Sequence, residues 1–259
     1  MALNPKISDW RGKRVWVVGA STGIGLALAE RLSAQGARIV MSARNVSRLQ
    51  AAADSVPGAV AVPLDVSDAS AWPGAEAQAR SALGGIDVVV LNAGTYAPLR
   101  AWDLATPAGL ATARQTFETN LMGVYGGLSA CLPDMLARGS GHVVIVGSVA
   151  GYGGLPKAVA YGPGKAALIN LAESLYIDLA PRGIAVTIVS PGFVETPLTA
   201  QNDFHMPALI TAAQAADNIL RGLRAGRFEI HFPWRFSGFL KCLGLLPRWA
   251  YFRLVGRLA

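Results

Sequence analysis

The feature that most constrains the fold lies near the amino terminus. An apolar run, Arg14–Val18, passes directly into Gly19-Ala20-Ser21-Thr22-Gly23-Ile24-Gly25, and a helix-patterned segment, Ile24–Gln35, follows and stops at Gly36. Glycines permit positive φ and let backbone N–H groups approach a ligand closely. A helix that starts at such a turn aims its positive end at whatever sits there, which favours a phosphate. Strand, glycine turn and helix in that order open a parallel sheet with a nucleotide at its carboxyl edge. The spacing is Gly-x-x-x-Gly-x-Gly, a departure from the standard Gly-x-Gly-x-x-Gly. A plain tight connection is the competing explanation.

The rest of the chain repeats this rhythm. Further strands are predicted at Arg38–Met41, Ala59–Leu64, Ile86–Leu91, His142–Val146, Ala185–Val189 and Phe228–Phe232. Between them lie helical patterns at Val46–Ser55, from a cap at Ser67 or Asp68 to about Leu83, and at Ala108–Arg138, Tyr161–Leu179 and Thr211–Arg224. Gly123, Gly126 and Gly127 are expected to weaken the third of these locally. Strands separated by helix-length segments imply right-handed crossovers. The expected architecture is a single doubly wound α/β domain, residues 1–232, with about seven parallel strands and helices on both faces. Residues 233–259 extend it as a basic apolar tail. With 52% apolar and 15% charged residues, disorder is excluded.

Cys131 and Cys242 lie far apart in apolar surroundings, as reduced thiols would. The start of the chain is polar and carries Asp9, unlike a signal peptide, and no run approaches the roughly 18 apolar residues of a membrane span. A cytoplasmic protein is expected. The net charge of +7 is confined to one end: Met1–Leu220 holds 15 basic and 15 acidic residues, whereas Arg221–Ala259 holds eight basic residues against Glu229 alone.

After the second strand, the place where an NAD-binding domain usually carries an acid is taken by Ala43, followed by Arg44. A guanidinium there can pair with a 2′-phosphate, which favours NADP(H) over NAD(H), although a solvated surface arginine would look the same. Asp65 could accept from an adenine amino group or cap the next helix. Asn92-Ala93-Gly94, after the fourth strand, lets the backbone lie against an adenosine or simply turns the chain.

Ser148 follows the fifth strand at the ligand-binding edge of the sheet. Tyr161 and Lys165, thirteen and seventeen residues on, share one helix face. A phenol with a pKa near ~10 is a poor proton shuttle at neutral pH, and a close ammonium is expected to lower it. Ser148 could hold the substrate oxygen. Singly these are a buried aromatic, a solvated lysine and a turn serine; behind a glycine turn they define a site. Pro163 requires Tyr161 to sit in the first turn of its helix.

The set Gly19-Ala20-Ser21-Thr22-Gly23-Ile24-Gly25, Asn92-Ala93-Gly94, Asn120, Ser148, Tyr161-Gly162-Pro163-Gly164-Lys165 and Pro191-Gly192 resembles the classical short-chain dehydrogenase/reductase family, in order and spacing, over about Gly12–Phe232. The resemblance implies a Rossmann-type fold and an NADP(H)-dependent oxidoreductase. It makes Tyr161 the acid/base and has Lys165 also bond the nicotinamide ribose. It has Asn120 hold a water in a relay to Lys165, and Pro191, Gly192 and Thr196 border the nicotinamide. It also implies a homodimer or homotetramer through Ala108–Arg138 and Tyr161–Leu179.

Substrate is less constrained. Phe193, Leu198, Phe204, Met206 and Leu209 on one side, and Ala150, Gly151, Tyr152 and Leu155 on the other, suggest an apolar ketone or secondary alcohol. His142 and His205 have no metal-ligand spacing, so no metal is expected. In the tail, Trp234, Phe236, Phe239, Leu240, Leu243, Trp249, Tyr251 and Phe252 interleave with Arg235, Lys241, Arg248, Arg253 and Arg257. This suits packing over the substrate mouth or a neighbouring subunit, the favoured expectation, or peripheral membrane contact. Nucleic acid ranks last. A non-catalytic nucleotide-binding regulator or scaffold on the same fold is the alternative function. A methyltransferase would share the turn but has no need of the Tyr161–Lys165 pair.

Overall fold

The computed structural model describes residues 2–200 and 206–256; Phe204, His205 and Arg257 lie outside them. In chain order the elements are β1 (Arg14–Val18), α1 (Gly23–Ala34), β2 (Arg38–Ser42), α2 (Val46–Asp54), β3 (Val60–Ala61), α3 (Ala71–Leu83), β4 (Val88–Leu91), α4 (Pro107–Phe117), α5 (Gly123–Arg138), β5 (Gly141–Val146), α6 (Tyr161–Leu179), β6 (Ile184–Pro191), α7 (Ala212–Arg224), β7 (Glu229–Phe232), α8 (Trp234–Gly244) and α9 (Arg248–Val255). The sheet runs β3-β2-β1-β4-β5-β6-β7, all pairs parallel. The chain winds outward from β1 to β3, then returns to place β4 on the other side of β1. The register Val18↔Leu91 sets the carboxyl ends of β1 and β4 side by side. A crevice opens at such a switch point, and both the glycine turn and Asn92 emerge there.

Alternation along the strands supplies two cores. Val15 and Val17 face Leu28 and Leu32 of α1, Leu49 of α2 and Ile219 of α7. Trp16 and Val18 face Trp72 of α3, Leu128 and Met135 of α5, and Leu168 of α6. Burying each such side chain contributes about 1.5–3 kcal/mol before the entropy of ordering it, so both faces of the sheet carry helices.

Several boundaries differ from expectation for identifiable reasons. The third strand spans only Val60–Ala61, although Val62 and Leu64 still donate to Met41 and Ala43 carbonyls at 2.9 and 3.1 Å. Neither Ser67 nor Asp68 caps α3. Asp68 instead accepts from Ser70 N at 2.9 Å, closing a turn ahead of Ala71, and Pro73 falls in the first turn, where a missing N–H is harmless. The region 108–138 is two helices joined by a π-helical turn, Glu118–Met122, that contains Asn120. Its glycines do not mark weakness. A Cβ on Gly126 would sit 2.5 Å from Trp72 Cδ1, and one on Gly127 would overlap Leu91, so these positions let α5 lie close to α3 and β4. The α7 amino terminus carries a Thr211–Gln214 capping box.

His142 is buried in β5, its Nε2 2.9 Å from Thr187 Oγ1. No cluster of metal-ligating side chains exists among the described residues. Cys131 is buried, Cys242 is exposed, and neither is in a disulfide. The described part of the tail is helical, in α8 and α9, and folded back on the domain. Glu229 of β7 accepts from Tyr152 Oη at 2.5 Å and pairs with Lys241 of α8, while Tyr251 of α9 donates to the Gly154 carbonyl at 2.7 Å.

Candidate active site

The glycine turn is dictated by contact. Gly19 has φ +86°, and a Cβ there would fall 2.5 Å from Ala93 N; one on Gly25 would overlap the Gly19 carbonyl. Asn92 Nδ2 donates to that same carbonyl at 2.7 Å, tying the turn to the end of β4. Gly23, at φ +59°, comes within 2.8 Å of Thr196 Cγ2 when a Cβ is built on it. Thr22 takes the N-cap position of α1 without capping it through its side chain. The first amides of α1 are thus left to an external acceptor, as a pyrophosphate requires.

A cleft of about 340 Å³ runs along this edge. Its lining includes Gly19, Ser21, Thr22, Gly23, Ile24, Arg44, Asp65, Asn92, Ala93, Gly94, Ser148, Tyr161, Lys165, Pro191, Gly192 and Thr196. Of the residues expected to act in catalysis or to touch the cofactor, Gly25 and Asn120 are not on its wall; Gly25 packs beneath the turn. Arg44 is 71% exposed in its side chain and approaches Asp65 only to 3.9 Å. Asp65 turns back to accept from Ser67 N and Oγ, at 3.0 and 2.6 Å, so it closes its own turn. Leu64, Val66, Thr95 and Thr199 also line the cleft. They were missed because single apolar or hydroxyl residues next to strand ends carry no pattern.

At the deep end, α6 begins with Tyr161 as Pro163 demands, and Lys165 follows one turn later. Lys165 is buried at 4% exposure, with Nζ donating to the Val146 carbonyl at 2.9 Å and lying 5.7 Å from the centre of the Tyr161 ring. Burial pulls the ammonium down to about 8. The Tyr161 phenol moves the other way from expectation. Burial raises its pKa, the neighbouring Ser148 hydroxyl opposes that in part, and Tyr96, edge-on at 5.1 Å, adds to the rise. The physical reason is that the ammonium is committed to a carbonyl and stands over the ring, where its charge helps the phenol oxygen little.

Asn120 is buried in the π turn, a feature that often marks a functional position. Its Oδ1 accepts from Thr95 N at 2.7 Å and its Nδ2 donates to Thr95 O at 2.8 Å. A Cβ on Gly94 would lie 3.3 Å from Asn120 Oδ1 and 3.8 Å from Lys165 Nζ. The asparagine side chain therefore pins the loop after β4 against the lysine. These two bonds use one lone pair of Oδ1 and one hydrogen of Nδ2.

A second cavity, about 600 Å³, adjoins the cleft and shares Ser148, Tyr161, Gly192, Leu198 and Thr199 with it. Ala150, Tyr152, Leu155 and Phe193 line it as expected; Gly151, Met206 and Leu209 do not. Gly151 instead packs on the Lys165 backbone, and Leu209 is exposed. The tail adds Phe236, Phe239, Leu240, Leu243, Tyr251 and Val255 to the wall. Phe193 meets Phe236 with ring centres 5.7 Å apart.

Comparison with known proteins agrees with this geometry. Residues 13–206 match the short chain dehydrogenase family. An uncharacterized oxidoreductase of Myxococcus xanthus is 37% identical over 239 residues, 89% of this chain and 91% of its own. The 3-oxoacyl-(acyl-carrier-protein) reductase of Escherichia coli is 33% identical over 192 residues, 74% of this chain and 77% of its own. Among solved structures, a short-chain dehydrogenase from Streptomyces avermitilis is 27% identical with a TM-score of 0.78, covering 95% of this chain and 97% of its own. The fold is also that of a short-chain dehydrogenase/reductase from Burkholderia phymatum in complex with NAD, TM-score 0.82 at 23% identity over 91% and 94% of the two chains. With a Rossmann-type sheet, a glycine cradle and a family match over most of its length, this chain is a member of the short-chain dehydrogenase/reductase family of NAD(P)-dependent oxidoreductases.

Proposed function

We propose that the enzyme interconverts an apolar ketone and its secondary alcohol with NADP(H), using Tyr161 as general acid/base. The observation that carries this reading is the position of Tyr161 and Ser148, which line both the nucleotide cleft and the apolar cavity. The acid/base stands where a dinucleotide and an apolar molecule would meet.

The cleft fits a dinucleotide because Gly19 and Gly23, both at positive φ on its wall, leave bare backbone beside an α1 start that no side chain caps. A bound nicotinamide supplies or accepts the hydride. The residues of the chain do the rest. Ser148 hydrogen-bonds the substrate oxygen and orients its carbon. Tyr161 delivers a proton to that oxygen in reduction and removes it in oxidation. Lys165, once drawn off the Val146 carbonyl, places positive charge beside the phenolate. Asn120 acts as a positioning residue through Thr95 and Gly94.

Arg44 at the rim, exposed and without an acid within hydrogen-bond distance, supports NADP(H) over NAD(H). The reading includes a homodimer or homotetramer through α4, α5 and α6, whose outer faces expose Leu110, Tyr125 and Ile177. It treats residues 233–259 as an extension of the catalytic domain. Tyr161→Phe is the test. NADPH binding, followed by fluorescence, should persist while turnover of apolar ketones falls by about 10²–10⁴. Retained turnover would mean another group moves the proton, and a wild-type protein that binds NADPH yet turns over no ketone would favour the scaffold alternative.

A further inference from the structure

The helices α8 and α9 have two apolar faces. One is spent on the 600 Å³ cavity, through residues such as Leu240, Leu243 and Tyr251. The other points outward. Trp234 is 72% exposed, Leu245 85% and Trp249 73%, and Phe252 and Leu254 are exposed beside them. Solitary exposed apolar side chains are ordinary, whereas several on two consecutive short helices form a surface that calls for a cover.

Charge identifies the cover. All of the chain's excess positive charge lies in residues 221–259. The one acid of that segment, Glu229, is turned inward and consumed by Tyr152 and Lys241. Arg235, Arg248 and Arg253, interleaved with the exposed aromatics, form no ion pair among the described residues. Arg235 lies over the Trp234 ring at 5.6 Å. A second copy of this chain meeting the patch face to face would juxtapose like charges, which disfavours self-association there. Aromatic rings beside free guanidinium groups match the boundary of a bilayer that carries anionic headgroups. No helix among the described residues is long and apolar enough to cross a membrane, so attachment would be at the surface.

We propose that α8–α9 docks this enzyme onto the surface of an anionic lipid bilayer, with Trp234, Leu245, Trp249 and Phe252 entering the interface and Arg235, Arg248 and Arg253 facing the headgroups. The inner face of the same helices walls the apolar cavity, so a membrane-dissolved substrate would reach the site over a short path. That corollary rests on the proposed function; the docking does not.

The experiment is co-sedimentation of the full chain with vesicles of phosphatidylcholine alone or mixed with phosphatidylglycerol, beside sedimentation velocity without lipid and turnover of a soluble ketone. The wild type should pellet with the anionic vesicles, less so in high salt, and stay in solution with phosphatidylcholine. Each arginine near an anionic surface strengthens partitioning roughly fivefold, so the triple variant R235Q/R248Q/R253Q should lose roughly a hundredfold. The variant W234A/W249A, whose side chains lie outside the cavity wall, should lose vesicle binding while its oligomeric state and soluble turnover stay unchanged. Lack of wild-type binding to anionic vesicles overturns the proposal. So does binding indifferent to both variants, or a W234A/W249A protein that falls to a smaller oligomer, which would give the patch to a second copy. Vesicle binding by a wild type that turns over no ketone upholds the docking and removes only the functional reading.

Discussion

Replacing Gly126 with alanine sets two effects of opposite sign against each other. Helix propensity alone favours alanine over glycine by about 1 kcal/mol. At this position, however, the new methyl would sit 2.5 Å from Trp72 Cδ1, well inside contact distance. Trp72 has little room to give. Its Nε1 donates to the Val66 carbonyl at 3.2 Å, its ring meets Trp16 edge-on with centres 5.8 Å apart, and it is almost wholly buried. Overpacking of this kind costs about 1–3 kcal/mol, and breaking the indole hydrogen bond adds about 1 kcal/mol. The net expectation is destabilisation of about 2 kcal/mol, a fall in Tm of roughly 4–8 °C for a chain of this size. Gly74, in the first turn of α3, is the control, since a Cβ there meets nothing within 4 Å; Gly74→Ala should be neutral to stabilising by up to about 1 kcal/mol. Val66 lines the nucleotide cleft, so Gly126→Ala should also weaken NADPH binding. Urea unfolding of both variants, with NADPH titration, is the assay. A Gly126→Ala protein as stable as wild type would show that α5 and α3 are not held in this close packing.

The remaining expectations concern charge. Arg44→Ala should raise the NADPH KM about tenfold, the low end for a charge-assisted contact at an exposed side chain, and leave NADH almost unaffected; equal changes for both cofactors would remove Arg44 from phosphate recognition. His142 titrates far from its usual range, pulled down to about 4 by burial. Because the unfolded imidazole binds its proton near ~6.5 and the folded one only near 4, stability contributed above pH 6.5 is lost as the pH falls from there towards 4, by about 3 kcal/mol in total. His142→Gln should flatten the profile across that window, and identical acid profiles for variant and wild type would refute the assignment.

The parts of the molecule that could be read from sequence are those whose physics is local. The β1–Gly19–α1 unit announces itself because the turn, the strand and the helix start are contiguous. Tyr161 and Lys165 share a face because they are four apart on one helix. Other features depend on partners distant in the chain and leave no period. Gly126 looks like a weak point in α5 until Trp72, 54 residues earlier, is seen against it. The tail's amphipathic pattern gives α8 and α9 their faces, yet the inner one becomes a cavity wall only because Glu229 grips Lys241 and the Gly154 carbonyl receives Tyr251.

The acidity of Tyr161 belongs to the second kind, and it bears on the proposed acid/base role. Spacing puts the ammonium near the ring but does not say which acceptor it takes. In the fold it takes the Val146 carbonyl; Lys165 is buried and Tyr161 is half-buried. Burial disfavours whichever form is charged, so the phenol is raised and the lysine lowered together. At neutral pH the phenol is thus held protonated, the form that can donate to a carbonyl oxygen. With Tyr161 as the proposed acid/base, oxidation of an alcohol would need the phenolate, which Lys165 would stabilise by leaving Val146 for the phenol oxygen. Under the proposed function, the resting arrangement holds the phenol in its proton-donating form, and the lysine's hold on a main-chain carbonyl is the contact that a phenolate would have to displace.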